Sequence, residues 1–268
     1  MITFHKVSKT YCRDVDTSRK RAIARIIWSG IGKMQDGGEK EFYALDDISF
    51  CVKKGEHLLI AGPDNSGKSS IARIICGLAQ PSAGEVKIGG RTRLVQRSKI
   101  GSTPLMSLRQ YICFLATLYG ADGSRVNGIC QEVFEQCHLE NLTKAKLHDV
   151  QDDLLKNVTY YVSLSVDSDI YVFDESLKTD DTELGQLCRK RIEEIFASRT
   201  AVVLAKTFGH GPDKLANILI LQDGRVEALG SYDSMRSLYN DKRALSPYHI
   251  DSASPVDSSS SVEEDFDF

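Results

Sequence analysis

The chain has no Cys-x-x-Cys pair, no excess of basic residues and no apolar run of membrane-spanning length. Each absence closes off a class of function. Its seven cysteines (Cys12, Cys51, Cys76, Cys113, Cys130, Cys137 and Cys188) are odd in number and unpatterned, so they read as reduced thiols of a cytosolic protein, and zinc is not expected. With 34 Lys and Arg against 37 Asp and Glu, the net charge of −3 lacks the basic surplus of a general nucleic-acid binder. The first residues do not form a secretion signal, and no segment approaches the roughly 20 apolar residues that cross a bilayer. Any work at a membrane would therefore need a partner to supply the crossing. What remains, 268 residues of which 41% are hydrophobic, has the composition of a soluble globular protein with room for one large or two small domains.

Against that background one stretch stands out, AGPDNSGKSS from Ala61 to Ser70. The spacing from Gly62 through Gly67 and Lys68 to Ser69 is that of a loop that wraps backbone N–H groups around nucleotide phosphates. Such a loop sends a lysine to the β- and γ-oxygens and gives a hydroxyl to Mg²⁺. Gly62, Pro63, Asp64, Asn65, Ser66, Gly67, Lys68, Ser69 and Ser70 are the nucleotide-binding candidates, with Ser69 also a metal ligand. The context fits. His57 to Gly62 is a short apolar run ending in glycine, and Ile71, Ile74, Ile75 and Leu78 then recur at helical spacing, which places the phosphates on a helix N-terminus. Asn65 stands where glycine is usual, and asparagine tolerates positive φ. Asp64 adds a negative charge beside the phosphates, which would weaken binding.

The segments MITFHKVSKTY, ISFCVKKG and EVKIGG alternate apolar and polar residues and predict a small antiparallel sheet beside an α/β core. Ile170 to Phe173, Thr200 to Ala205 and Asn217 to Leu221 are continuous apolar runs, as buried parallel strands tend to be. Leu184, Leu187, Ile192 and Ile195 keep a helical spacing between them, and Asp223-Gly224 predicts the turn of a closing hairpin. The expected architecture is an α/β domain over residues 1–245 with a helical subdomain at about 104–160 and an insertion at 12–41. Within the insertion, Ile23, Ile26, Ile27, Ile31 and Met34 share one helical face behind the cluster Arg19, Lys20, Arg21 and Arg25. A surface helix packed on the core and a helix touching a membrane partner or lipid interface fit that pattern equally. Residues 246–268 turn to Ser, Asp and Glu and predict a disordered acidic tail.

The second half of a nucleotide site is DIYVFDE, Asp169 to Glu175, a buried strand ending in an acidic pair at the sheet edge where ligands bind. Asp174 is the candidate to hold Mg²⁺, directly or through water, and Glu175 the candidate base that polarises the attacking water. The order of phosphate loop, helix, PLMSLRQYICFLATLYG, DIYVFDE, Asp181 and ILILQDGRVEALG resembles the nucleotide-binding subunit of an ATP-binding cassette (ABC) transporter, over roughly Met1 to Asn240. Within that superfamily FYALDDISFCVKKGE, the basic insertion and the LYG segment are most similar to ATPase subunits of exporters of lipid-linked capsule, O-antigen or teichoic-acid chains. The resemblance implies an α/β P-loop NTPase fold, ATP and Mg²⁺ as cofactors, an integral membrane permease and a second nucleotide-binding subunit as partners, and a place on the cytoplasmic face of the membrane. It assigns Tyr11, with Tyr43 an alternative, to stack on adenine. Asp181 takes the place of the aspartate that communicates across the dimer, and Gln96 is a candidate for the Mg²⁺-sensing glutamine.

Two positions depart from the family. Counting back from Glu175, the signature that should read Leu-Ser-Gly-Gly-Gln is Val150, Gln151, Asp152, Asp153 and Leu154. In the family two cassettes sandwich ATP head to tail, and signature amides of one grip the γ-phosphate held by the other. Aspartates there set carboxylates against phosphate and remove the glycines that allow close approach. A shift of register by one or two residues would instead make Asp152 and Asp153 ordinary solvated turn residues. Lys206 stands where the family has a histidine that contacts γ-phosphate, and a protonated lysine donates hydrogen bonds but accepts none. His210 lies four residues further on. The expectation is therefore a transport ATPase that works as a heterodimer or as a slow homodimer. The alternatives are a hydrolysis-poor nucleotide-binding partner subunit and, from a different class, a small-molecule kinase, against which the late Asp174-Glu175 pair and the hairpin stand.

Overall fold

In the computed structural model the described residues are 1–13, 40–98, 100, 101, 103–206, 217–231, 234 and 235. The basic amphipathic segment, His210 and the acidic tail lie outside them. Strands β1 (Ile2–Arg13), β2 (Lys40–Val52) and β4 (Ala83–Ile88) form an antiparallel sheet in the order β2-β1-β4. Alternation explains its one buried face: Ile2, Phe4, Ile48, Phe50 and Val52 are all buried, and the rings of Phe4 and Phe50 stack across the strands at 4.5 Å. Beside it lies a six-stranded sheet in the order β5-β6-β7-β3-β8-β9, comprising β3 (His57–Ala61), β5 (Thr92–Val95), β6 (Ile170–Asp174), β7 (Thr200–Ala205), β8 (Asn217–Gln222) and β9 (Arg225–Ser231). Its first five strands are parallel, and β9 returns antiparallel to β8.

Every residue of β3 and β7 is buried, which is why these strands read as unbroken apolar runs. The period of two is still present, hidden because both faces are covered. Leu58, Ile60, Val172, Val202 and Leu204 pack toward the antiparallel sheet and helix α1 (Lys68–Ile75). Leu59, Ala61, Phe173, Ala201 and Val203 pack toward α2 (Leu108–Leu118), α3 (Gly123–Gln136), α4 (Asp152–Ser165) and α5 (Glu183–Ser198). Ser107 starts α2 with a capping box, its hydroxyl accepting from the Gln110 amide at 3.2 Å while the Gln110 side chain accepts from the Ser107 amide.

Helix α1 stops at Ile75, so Leu78, which continues the helical spacing in the sequence, lies past its end and is 64% exposed. The β8–β9 hairpin turns where the sequence places it, with Asp223 at φ 47° and Gly224 at φ 76°. These paired positive φ values are those of a type I′ turn. That turn also braces the phosphate loop, since the Gly224 amide donates to the Ser66 carbonyl at 3.1 Å and the Gly224 carbonyl accepts from the Asp46 amide at 2.8 Å. Leu59 is fully buried at the centre of the sheet. Leu59→Ala should cost about 2 to 5 kcal/mol, a fall in thermal midpoint of roughly 5–15 °C by calorimetry; no measurable fall would contradict this packing.

Candidate functional site

Residues 62–67 connect the buried end of β3 to α1, and packing rather than turn geometry alone dictates their two glycines. A Cβ on Gly62 would lie 2.1 Å from the Leu221 carbonyl oxygen, and one on Gly67, at φ +105°, would lie 2.4 Å from that of Ala44. Asn65 takes the left-handed backbone expected of it, at φ 63°. The loop is anchored by the Gly62 amide donating to the Ala205 carbonyl at 3.2 Å. Gly67 caps α1 without a side-chain hydrogen bond and the first turn carries no acidic residue, so the positive end of the helix stays open toward the loop. The Lys68 side chain folds back into this cradle, donating to the carbonyls of Gly62 and Pro63 at 2.7 Å each. Burial pushes its pKa below the ordinary lysine value, while Glu175, Asp64 and Asp174 oppose that shift.

A cavity of about 950 Å³ opens over the loop and is lined by it together with Tyr11, Phe42, Tyr43, Arg73 and Glu175. Tyr11 and Phe42 stack at 5.9 Å, and the Lys9 ammonium lies 4.9 Å from the Tyr11 ring centre. The buried Tyr11 hydroxyl has no hydrogen-bond partner among the described residues. Strand β6 delivers Asp174 and Glu175 to the rim. Glu175 is exposed, in the left-handed region at φ 50°, and its amide donates to the Leu204 carbonyl at 3.2 Å. Gln96, one residue past β5, donates its side-chain amide to the Asp174 carboxylate at 3.2 Å. The exposed hydroxyl of Ser69 and the Asp174 carboxylate are hard oxygen donors of the kind Mg²⁺ accepts when water and phosphate complete its shell.

Lys206, at the position of the family histidine, meets in space the unusual loop carboxylate of Asp64. Lys206, directly after β7, places its ammonium 3.0 Å from a carboxylate oxygen of Asp64. That hydrogen bond raises the Lys206 pKa above the ordinary lysine value.

The other departure lies at the start of α4. Val150 is buried in the core, Gln151 is the N-cap, and Asp152 and Asp153 form the exposed first turn. Carboxylates there stabilise the helix by facing its positive end, and Asp153 also accepts from Lys156 at 2.9 Å. The same placement neutralises a helix terminus that would otherwise attract phosphate. Asp181 is fully exposed, its nearest ionic partner being Arg189 at 3.5 Å. Its neighbour Asp180 is instead gripped: it accepts from Arg97 at 2.8 Å, from the Asn157 amide at 2.9 Å and from the Thr182 hydroxyl. Arg97 donates as well to the Asn157 side-chain oxygen at 2.6 Å and the Lys178 carbonyl at 3.0 Å. One cluster thus joins the segment after β5, helix α4 and the loop before α5.

A family profile described as ABC transporter matches residues 45–178, half of the chain. The chain belongs to that family. Among curated relatives, the teichoic acids export ATP-binding protein TagH of Listeria monocytogenes serotype 4b (strain F2365) is 24% identical over 241 residues, covering 90% of this chain and 70% of the relative. The O-antigen export system ATP-binding protein RfbB of Klebsiella pneumoniae is 24% identical over 206 residues, covering 76% and 84%. The Nod factor export ATP-binding protein I of Paraburkholderia xenovorans (strain LB400) is 24% identical over 206 residues, covering 72% and 67%. Among solved structures, the ADP- and Pi-bound dimer of the ATP-binding cassette MJ0796 superposes with a TM-score of 0.60 at 22% identity, over 87% of this chain and 99% of that one. The structure of an ATP-binding subunit of an ABC transporter gives 0.62 at 17% identity, over 90% and 93%. These likenesses establish the P-loop ABC fold, and with the family match they make the chain an ATP-binding cassette with an ATPase domain.

Of the residues picked out in the sequence, the cassette gathers Asp64, Asn65, Ser66, Gly67, Lys68, Ser69, Ser70, Tyr11 and Glu175 around one cavity, with the Gly62 and Pro63 carbonyls holding Lys68, Asp174 beside the cavity and Lys206 bound to Asp64 at its edge. Residues 150–154 lie apart, and of them Gln151, Asp153 and Leu154 line a second cavity of 580 Å³ beside Arg97 and Asp180. Sequence reasoning missed Arg97, Asn157 and Asp180. Asn157 gave no signal, because it sits beside Lys156 and two positions before Thr159 in a stretch of mixed polarity.

Hydrogen bonds, first that of Thr182, hold the Asp180 pKa below the ordinary 3.8 even though burial pushes the other way. A carboxyl depressed in the folded state contributes stability that is present above 3.8 and lost as pH falls through its lower folded value. Asp180→Asn should therefore be less stable than wild type in urea at neutral pH, with the gap narrowing below pH 3.8. A gap that is constant with pH would contradict the cluster.

Proposed function

We propose that this cassette is the ATPase subunit of an exporter, working on the cytoplasmic face of a membrane and coupling ATP binding and hydrolysis to the movement of an integral membrane permease. The observation that carries the reading is the shared cavity, in which Glu175 faces the phosphate loop and Asp174 lies beside it at the end of the same strand. Among the described residues no helix is long and apolar enough to cross a membrane, which fits a division of labour with a separate permease. The names of the relatives, which export teichoic acids, O-antigen and Nod factor, support a lipid-linked polysaccharide as cargo.

In this reading the loop amides and the open end of α1 hold the phosphates, and Lys68 exchanges its own-loop carbonyls for phosphate oxygens. Tyr11 stacks on the base. Ser69 and Asp174 would hold Mg²⁺, which would supply neutralising charge to the phosphates, while Gln96 orients the Asp174 carboxylate. The Glu175 carboxylate takes a proton from water as its oxygen attacks the γ-phosphorus and the bond to the bridging oxygen of ADP breaks. Asp181 faces the opposing cassette.

A specific observation favours a second element. Asp152 and Asp153 occupy the first turn of α4, where the head-to-tail dimer needs amides free for phosphate. This cassette is therefore a poor donor of the signature. It either pairs with a different cassette that has an intact signature or turns over slowly with itself, and in the limit it binds ATP as a partner subunit that hardly hydrolyses.

The test is to purify the membrane complex through a tag on this chain and measure its composition, nucleotide binding and turnover. The complex should contain a second, different cassette or hydrolyse slowly. Glu175→Gln should lower turnover by about 100-fold or more, and Lys68→Ala should abolish ATP binding. A complex holding only this cassette with brisk turnover would overturn the pairing, and turnover indifferent to Glu175→Gln would overturn the assignment of the base.

A further inference from the structure

Both departures beside the phosphate loop are charged, and they are charged oppositely. Asp64 adds a negative charge to the loop, and Lys206 puts a positive one where the family resemblance supplies a histidine. At 3.0 Å, joined across 142 positions of sequence, they cancel. Neither is needed for packing: the Asp64 side chain is 68% exposed and that of Lys206 54% exposed, and an exposed pair of this kind adds little to folding stability. The position of the pair explains it better. Lys206 follows Ala205, whose carbonyl anchors Gly62, and it lines a 230 Å³ pocket together with Glu175. Its ammonium therefore lies at the tip of the loop and shares a pocket with the candidate base.

We propose that Asp64 is a built-in counter-ion that holds Lys206 until a γ-phosphate takes its place, so that the pair sets the preference of this cassette for triphosphate over diphosphate. This rests on the reading of the loop as a nucleotide site. Lys206 donates to the Asp64 carboxylate while no terminal phosphate is present. A γ-phosphate, carrying more charge than a carboxylate and more acceptor oxygens, competes for the same ammonium. A diphosphate ends short of it and leaves the pair closed. Asp64 then costs affinity twice, by occupying the lysine and by repelling the incoming phosphate, and both costs fall on the triphosphate.

The test uses equilibrium titration of the purified chain with Mg²⁺ and either the imido analogue of ATP or ADP. Asp64→Asn should tighten the ATP analogue about threefold to fivefold and shift ADP by less than twofold. Lys206→Ala should weaken the ATP analogue by a similar factor, because it leaves Asp64 unpaired against phosphate. The double variant should return to within about twofold of wild type, as both charges are gone. Asp64→Asn binding the ATP analogue no tighter than wild type, or both nucleotides shifting alike, would overturn the counter-ion role. Lys68→Ala separates the two claims. If it abolishes binding while Asp64→Asn does nothing, only the counter-ion fails; if the wild type binds neither nucleotide, the nucleotide site fails with it.

Discussion

The parallel pairing of β3 with β7 on one side and β8 on the other is the constraint on which the site depends. Parallel strands end together, so Ala61, Asp174 and Ala205 reach one edge of the sheet although nearly 150 residues of chain separate the first from the last. Burial on both faces fixes the register, because a slip by one residue would turn Leu59 and Val203 out of the helical core and into the other. From that edge the loop inherits its anchor, Glu175 its place on the rim, and Lys206 its reach to Asp64. The glycines at 62 and 67 are consequences of the same packing, since each lies against a carbonyl that leaves no room for a Cβ.

Charge arrangement then separates what this cassette does within one chain from what it offers to another. Around the loop, an open helix end and Lys68 present positive charge of the kind phosphate accepts, and the added carboxylate of Asp64 is balanced by Lys206. At the start of α4 two carboxylates, Asp153 paired with Lys156, face a helix end, which suits the stability of the helix and opposes phosphate. The asymmetry is between the half proposed to hold its own nucleotide and the half that would complete a neighbour's. Arg97 bears on both, because it follows Gln96 and joins Asp180 to Asn157 on α4.

The loop and its two flanking elements were legible because their requirements are local: a strand, a run of left-handed and amide-lined turns, and an amphipathic helix. The hairpin at Asp223-Gly224 was legible for the same reason. Strand β5 was not, since Thr92–Val95 is short and mixes Thr and Arg with its apolar residues at the edge of the sheet. The Arg97, Asn157 and Asp180 cluster was invisible because its members lie 60 and 83 residues from Arg97 and none stands in a motif. Asp64 and Lys206 could each be seen as a departure, yet read singly they looked like faults. Only their proximity shows that one answers the other.

The most direct measurement is a crystal structure of Glu175→Gln grown with Mg²⁺ and ATP. The account predicts phosphates on the amides of residues 62–69, with Lys68 turned from the Gly62 carbonyl onto them. It also predicts a metal between Ser69 and Asp174, and the Lys206 ammonium moved from Asp64 to the γ-phosphate. A loop left empty at saturating ATP, with Lys68 still bound to its own carbonyls, would contradict it.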